Sequence, residues 1–251
     1  ATISTSVTCQ SPCATPPRWR CTDVLSPDEW EALRLSLGIA LRSVAVGLPL
    51  AILVAVLLVR GRFFGRLLLD ALVHLPLVLP PVVVGYLLLV LFGVQGPIGG
   101  WLESTFGVRL AFTRAGAALA TGVMAFPLMV RAIRLSLESI DRGLEEAART
   151  LGAGRFDRFV TITLPLMAPG ILAGGVTAFA AGLGEFGAVI TFAANVPGET
   201  RTLPLALYTA IQSPDGDALA ARLAALSFML GLAGLIMAEW LGRSLQRRLG
   251  R

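Results

Sequence analysis

EEAARTLGAGRFDRFVTITLP, residues 145–165, lies between two long apolar runs. Its first half reads as a short amphipathic helix from Leu144 to Leu151. Acids occupy the first turn and Arg149 stands near the end, the order that complements a helix macrodipole. Gly152 supplies a stop, because glycine accepts the left-handed conformation that commonly closes a helix. Ala147 and Ala148 leave a shallow surface that another protein's groove could seat. A detached short helix between two membrane segments has no membrane reason to exist; it reads as a docking element.

The surrounding chain is membrane-like throughout. Of 251 residues, 55% are hydrophobic and 15% charged, with a mean hydropathy of +0.75. Soluble domains carry about 25% charged residues, and several apolar runs here are long enough to cross a bilayer. The spacing predicts an all-α integral membrane protein with five spans, over about 35–59, 67–92, 115–130, 168–192 and 222–241. A polar stretch over 135–164 separates the third span from the fourth. Trp101 to Phe106 reads as a short interfacial helix. Leu203 to Ile211 is apolar but too short to span, so it is either interfacial or re-entrant.

Orientation follows from arginine. All 21 basic residues are arginine, and thirteen of them gather at Arg60–Arg66, Arg131–Arg158 and Arg243–Arg251. The positive-inside rule places these three clusters in the cytoplasm, with the N-terminus outside and the C-terminus inside. The acidic entry Asp28-Glu29-Trp30-Glu31 then lies outside, and Arg34 and Arg42 snorkel from the first turns of the first span. A net charge of +5 spread over span ends does not form the single basic face that nucleic acid requires.

Composition also removes chemistries. Without lysine the chain can hold neither a P-loop lysine nor a Schiff base. The single histidine, His74, is too few for a histidine zinc site; it stands four residues from Asp70, a spacing that suits a structural hydrogen bond or a proton relay. Cys9, Cys13 and Cys21 all fall within residues 1–22, which are rich in Ser, Thr and Pro and begin with Ala. That stretch is expected to be a disordered extension, or sequence outside the natural start, ahead of a transmembrane domain over 23–251. Gly182-Leu-Gly184-Glu-Phe-Gly187 matches a dinucleotide pattern formally. It follows no strand, so its glycines are assigned to helix packing. Gly170 and Gly174 form a pair that permits close helix contact.

Glu146-Ala147-Ala148, three residues, Gly152, nine residues, Ile162, one residue, Leu164-Pro165 is the EAA signature of binding-protein-dependent importer permeases of the ATP-binding cassette class. The chain resembles that family over nearly everything from Asp23 onward. Asp70–Tyr86, Phe126–Arg134, Leu183–Ala188 and Pro197–Pro204 are similar to its molybdate branch. Sulfate permeases are the nearest competitor.

The resemblance implies a type I importer permease fold in the bacterial inner membrane. It assigns Glu146, Ala147, Ala148, Gly152, Ile162, Leu164 and Pro165 to coupling with a separate ATPase. It further implies a homodimer, two ATP-binding cassette subunits and a periplasmic molybdate-binding protein, with lipid around the spans. No cofactor or metal is expected on this chain; ATP and Mg belong to the partner subunit.

Pro80 and Pro81 are expected either to kink the second span or to break it and shape the pathway. Glu185, an acid within the fourth span, is a costly residue. It would repel a dianion beside it, so it is read as a gate or packing group satisfied by hydrogen bonds.

Overall fold

The computed structural model describes residues 26–61 and 63–248, and these form an all-helical bundle. The N-terminal extension and its cysteines lie outside the described residues.

Helix α1 runs from Pro27 to Arg60. It starts eight residues before the predicted span. Ser26 accepts from Glu29 N while Glu29 Oε2 accepts from Ser26 N at 2.6 Å, a capping box that draws the acidic entry into the helix. Helix α5, Arg114–Glu138, also outruns its predicted span. Thr113 caps its start by accepting from Gly116 N at 3.1 Å. The helix continues past Arg131 because Arg134 and Glu138 pair one turn apart at 2.8 Å. Helix α11, Asp217–Arg248, contains the last predicted span.

The second predicted span is not one helix. It is α2, Arg66–Val78, and α3, Pro81–Phe92, bent by 120° at Leu79-Pro80. Pro80 and Pro81 both lack an N–H, so the ladder cannot continue. Leu79 N–H closes α2 on Leu75 O at 3.1 Å, and Pro81 opens α3, where a missing donor costs nothing.

The fourth predicted span is shifted. Its helix begins with α7, Arg155–Arg158, passes through a π-turn at Phe159–Thr163 and continues as α8, Leu164–Leu183. It stops at Gly184, and α9, Gly187–Ala193, follows as a separate piece. The polar segment between spans is therefore shorter than predicted, and holds α6, Arg142–Thr150. The predicted short helices are present as α4, Pro97–Phe106, and α10, Leu203–Ile211.

Four helical stretches are long and apolar enough to cross a membrane, and the bent α2–α3 pair makes five if it crosses as one element. At the end near Arg60, Ala51, Ala55, Met129, Ile133 and Met167 are buried where α1, α5 and α8 meet. The small residues foreseen in the fourth span serve this contact. A methyl group on Gly174 would sit 3.2 Å from both Ala132 Cβ and Met129 O, and one on Gly170 would meet Ser136 and Ala132. At the opposite end Ile39, Val84, Leu88, Ala117, Val189 and Phe192 form a second cluster. Many large apolar side chains remain exposed, among them Leu53, Val78, Phe228 and Ile236. In a bilayer protein such a surface meets lipid or another subunit.

Candidate functional site

Two regions hold the residues singled out by sequence. The first is α6 and its supports. Asp141 caps the helix by accepting from Gly143 N at 2.8 Å, and Arg149 lies in the last turn. Gly152 takes φ +86°, the left-handed conformation that ends the helix without a Cβ penalty. Glu146, Ala147 and Gly152 are exposed and Ala148 is half-buried. Leu144 and Leu151 are also exposed, the latter at 88%. A short helix with apolar groups turned outward presents a surface suited to a partner.

Ile162, Leu164 and Pro165 do not share the α6 surface; they form its base. Ile162 lies in the π-turn and Pro165 in the first turn of α8. The proline brings no N–H, and the residue before it, Leu164, donates to Phe159 O five positions back. Thr163 in this turn is buried, and Arg60 Nη2 at the end of α1 donates to its hydroxyl at 3.3 Å. The signature thus divides into an exposed half on α6 and a half that anchors α8 beside α1.

The second region is where the two breaks meet. A methyl group on Gly187 would sit 2.7 Å from Pro81 Cβ, and one on Gly85 would sit 2.7 Å from Ala188 O. The Pro-Pro break and the Gly-Glu-Phe break therefore pack directly on each other, with α3 lying against α9. Glu185 Oε1 accepts from Ala188 N at 2.9 Å, so this carboxylate caps α9. Gly182 packs near Thr121 and Ala40, the helix-packing role expected of these glycines. Pro80 and Pro81, far in sequence from Glu185, thus come into one region with it. The close approach at Gly85 and Gly187 was legible only as glycine, without a partner.

Two ion-pair systems brace these regions. Asp70 on α2 accepts from Arg134 on α5 at 3.2 Å, and His74 Nδ1 lies 2.9 Å from Asp70 O and 3.3 Å from Asp70 Oδ1. This is the structural pairing expected of the i, i+4 spacing. At the other end Glu29, 1% exposed, pairs with Arg222 of α11 at 2.7 Å. The loop after α9 is ordered by Thr200, which accepts from Val196 N at 3.0 Å and donates to Ala194 O at 3.1 Å. Arg201 Nε donates to Asn195 Oδ1 at 3.1 Å, and Arg114 donates to Gly198 O.

Residues 47–250 match the family described as binding-protein-dependent transport system inner membrane component. The chain belongs to that family. Its members include proteins similar to this one along almost their whole length. The molybdenum transport system permease protein ModB of Escherichia coli is 57% identical over 228 residues, 91% of this chain and all of that protein. The Haemophilus influenzae ModB is 53% identical over 89% of this chain and 97% of that protein. The E. coli sulfate transport system permease protein CysT is 40% identical over 71% of this chain and 65% of its own length.

Among solved structures, a bacterial transporter that imports the acidic polysaccharide alginate superposes with TM-score 0.67 at 19% identity. The match covers 89% of this chain and 80% of that one. The MetNI methionine transporter gives 0.55 at 18% identity, covering 85% and 94%. These likenesses establish the type I importer permease fold. Family membership and the apolar helices make this a multi-pass protein of the bacterial inner membrane and a permease subunit rather than an enzyme.

Proposed function

We propose that this chain is the membrane-spanning subunit of a molybdate importer. The observation that carries the reading is the exposed, capped α6 helix bearing Glu146-Ala147-Ala148 and closed by Gly152. It sits in a chain that is 57% identical to a molybdenum permease along that protein's full length. ATP and Mg bind a separate nucleotide-binding subunit, which seats α6 in a surface groove. Two copies of this chain pair about a twofold axis, the common closed arrangement for a homo-oligomer. Two ATPase subunits and a periplasmic molybdate-binding protein complete the assembly.

The ordered 194–201 loop lies at the end opposite α6, where the binding protein would deliver its cargo. A related fold has been solved with an alginate-bound periplasmic protein. The N-terminus lies outside and the C-terminus inside, as the arginine clusters require. With Cys9, Cys13 and Cys21 replaced by serine, a cysteine at Glu199 should be labelled by an impermeant maleimide in intact spheroplasts and one at Arg149 should not; labelling at Arg149 overturns this orientation.

Sulfate is the competing cargo, supported by 40% identity to a sulfate permease over a shorter stretch. The test uses vesicles carrying the permease with its ATPase and binding protein. Molybdate should stimulate ATP hydrolysis and its own uptake, and equimolar sulfate should not. Stimulation by sulfate alone would reassign the cargo.

A further inference from the structure

A groove of about 690 Å³ opens between α1, α2 and α5, and the described functional regions do not use it. Its walls are side chains such as Val46, Leu50, Leu72, Leu119 and Phe126. It follows α5 from Ala115 to Phe126, about 16 Å at 1.5 Å per residue, and α1 from Arg42 to Leu50, about 12 Å. One charge lines it. Arg42 is exposed and, among the described residues, has no hydrogen-bond or ion-pair partner; no carboxylate lines the groove.

Depth gives that guanidinium a meaning. Arg42 stands eighteen residues before Arg60 on the same helix, so the two are about 27 Å apart along the axis. A hydrocarbon core is about 30 Å thick. With Arg60 at the basic interface, Arg42 reaches the opposite headgroup layer; Gly122 faces Ser43, so the groove runs inward from Arg42 for about 12 Å to Leu50, room for part of an acyl chain, and continues outward along Ala115 and Leu119.

An unpaired guanidinium at headgroup depth above an apolar channel matches one ligand chemistry, a phosphodiester joined to an acyl chain. Arginine binds phosphate oxygens through paired N–H donors, and the groove accepts part of the chain. The transported oxyanion fits poorly, because Arg42 would be nearly its only donor; Ser43, the other polar wall residue, already donates its hydroxyl to Ala40 O at 2.9 Å. We propose that this groove binds an anionic phospholipid from the leaflet opposite Arg60, with its phosphate on Arg42 and part of one acyl chain between α1, α2 and α5. The site is independent of which oxyanion is carried.

The test is native mass spectrometry of the full-length permease released from nanodiscs of phosphatidylglycerol and phosphatidylcholine. The wild type should retain phosphatidylglycerol in preference by about tenfold, the ratio expected of a charge-assisted contact of about 1.4 kcal/mol. Arg42→Gln should abolish the preference and Arg42→Lys should keep part of it. Gly122→Leu should expel the lipid while Arg42 stays in place. A methyl group at 122 meets nothing closer than 3.6 Å, so this variant should fold.

Undiminished preference in Arg42→Gln overturns the proposal. So does displacement of the lipid by millimolar molybdate, which would make Arg42 part of the oxyanion path. Efficient disulfide formation between two copies of a Val46→Cys permease also overturns it, since the groove would then be an interface between subunits.

Discussion

Near Arg60 the bundle is made of helices that pass each other unbroken, and Ala51, Ala55, Met129 and Ile133 are wholly buried between α1 and α5. At the opposite end the chain breaks twice, and the two breaks are packed together through Gly85, Pro81 and Gly187. The first end is held by many interchangeable van der Waals contacts. The second has its own apolar cluster and adds specific contacts: a glycine against a proline, a carboxylate capping a seven-residue helix, and the Glu29–Arg222 pair. A close-packed end suits transmission of force from α6, because packed helices move as units. Broken helices at membrane depth suit a passage, where freed backbone groups meet polar partners or water.

That difference can be broken or sharpened by substitution. The largest effect on stability is expected from Arg222→Ala, which leaves the buried Glu29 carboxylate with only the Ser26 N–H among the described residues; a buried charged acceptor that loses a partner costs about 3 kcal/mol. Thermal unfolding in detergent should show it, and Arg222→Lys should restore part. Met129→Ala leaves a cavity in the unbroken end, with a cost of about 2 kcal/mol. Uptake per folded molecule should stay near wild type.

Gly187→Ala should reverse that pattern. Forcing a methyl group against Pro81 costs about 1 kcal/mol as overpacking, yet uptake should fall by more than stability does. Gly38→Ala, with nothing within 4 Å, is the matched control. If Met129→Ala impairs uptake per folded molecule and Gly187→Ala does not, the division of labour is wrong. Pro81→Ala should have the smallest effect on folding, since Pro80 and Leu79 still end α2. A several-fold change in uptake with intact assembly would mark the break as functional, and unchanged uptake would make it structural only.

Much of this architecture was legible in the sequence because membranes impose simple rules. Apolar length marks the long helices, arginine marks their ends, and the spacing from Glu146 to Pro165 marks the exposed α6 and the turn at the start of α8. Arg149 and Gly152 announced the end of α6 by ordinary helix-end chemistry, whereas its Asp141 cap lies ahead of the Leu144 start expected from sequence. What was not legible depends on pairing across the fold. The break between Leu183 and Gly187 was hidden in a run of small residues that also reads as continuous helix. Pro80-Pro81 signalled a disturbance but not its 120° bend. Glu29 read as an interfacial acid, and only the arrival of α11 beside α1 turns it into half of a buried pair. Ile162 and Leu164 belong to the signature by spacing, but their place in the base of α8 follows from the π-turn, which nothing in local composition foretold.

We propose that α6 transmits ATP hydrolysis on a partner subunit to the bundle. Ala147 is exposed and carries no fold contact that a larger side chain would destroy. Ala147→Trp should therefore leave the permease folded and monodisperse, with wild-type thermal unfolding. In vesicles with its ATPase and binding protein it should lose substrate-stimulated ATP hydrolysis and uptake by at least tenfold, equivalent to about 1.4 kcal/mol of lost docking. A permease carrying Ala147→Trp that still co-purifies with its ATPase and transports at the wild-type rate would contradict the account.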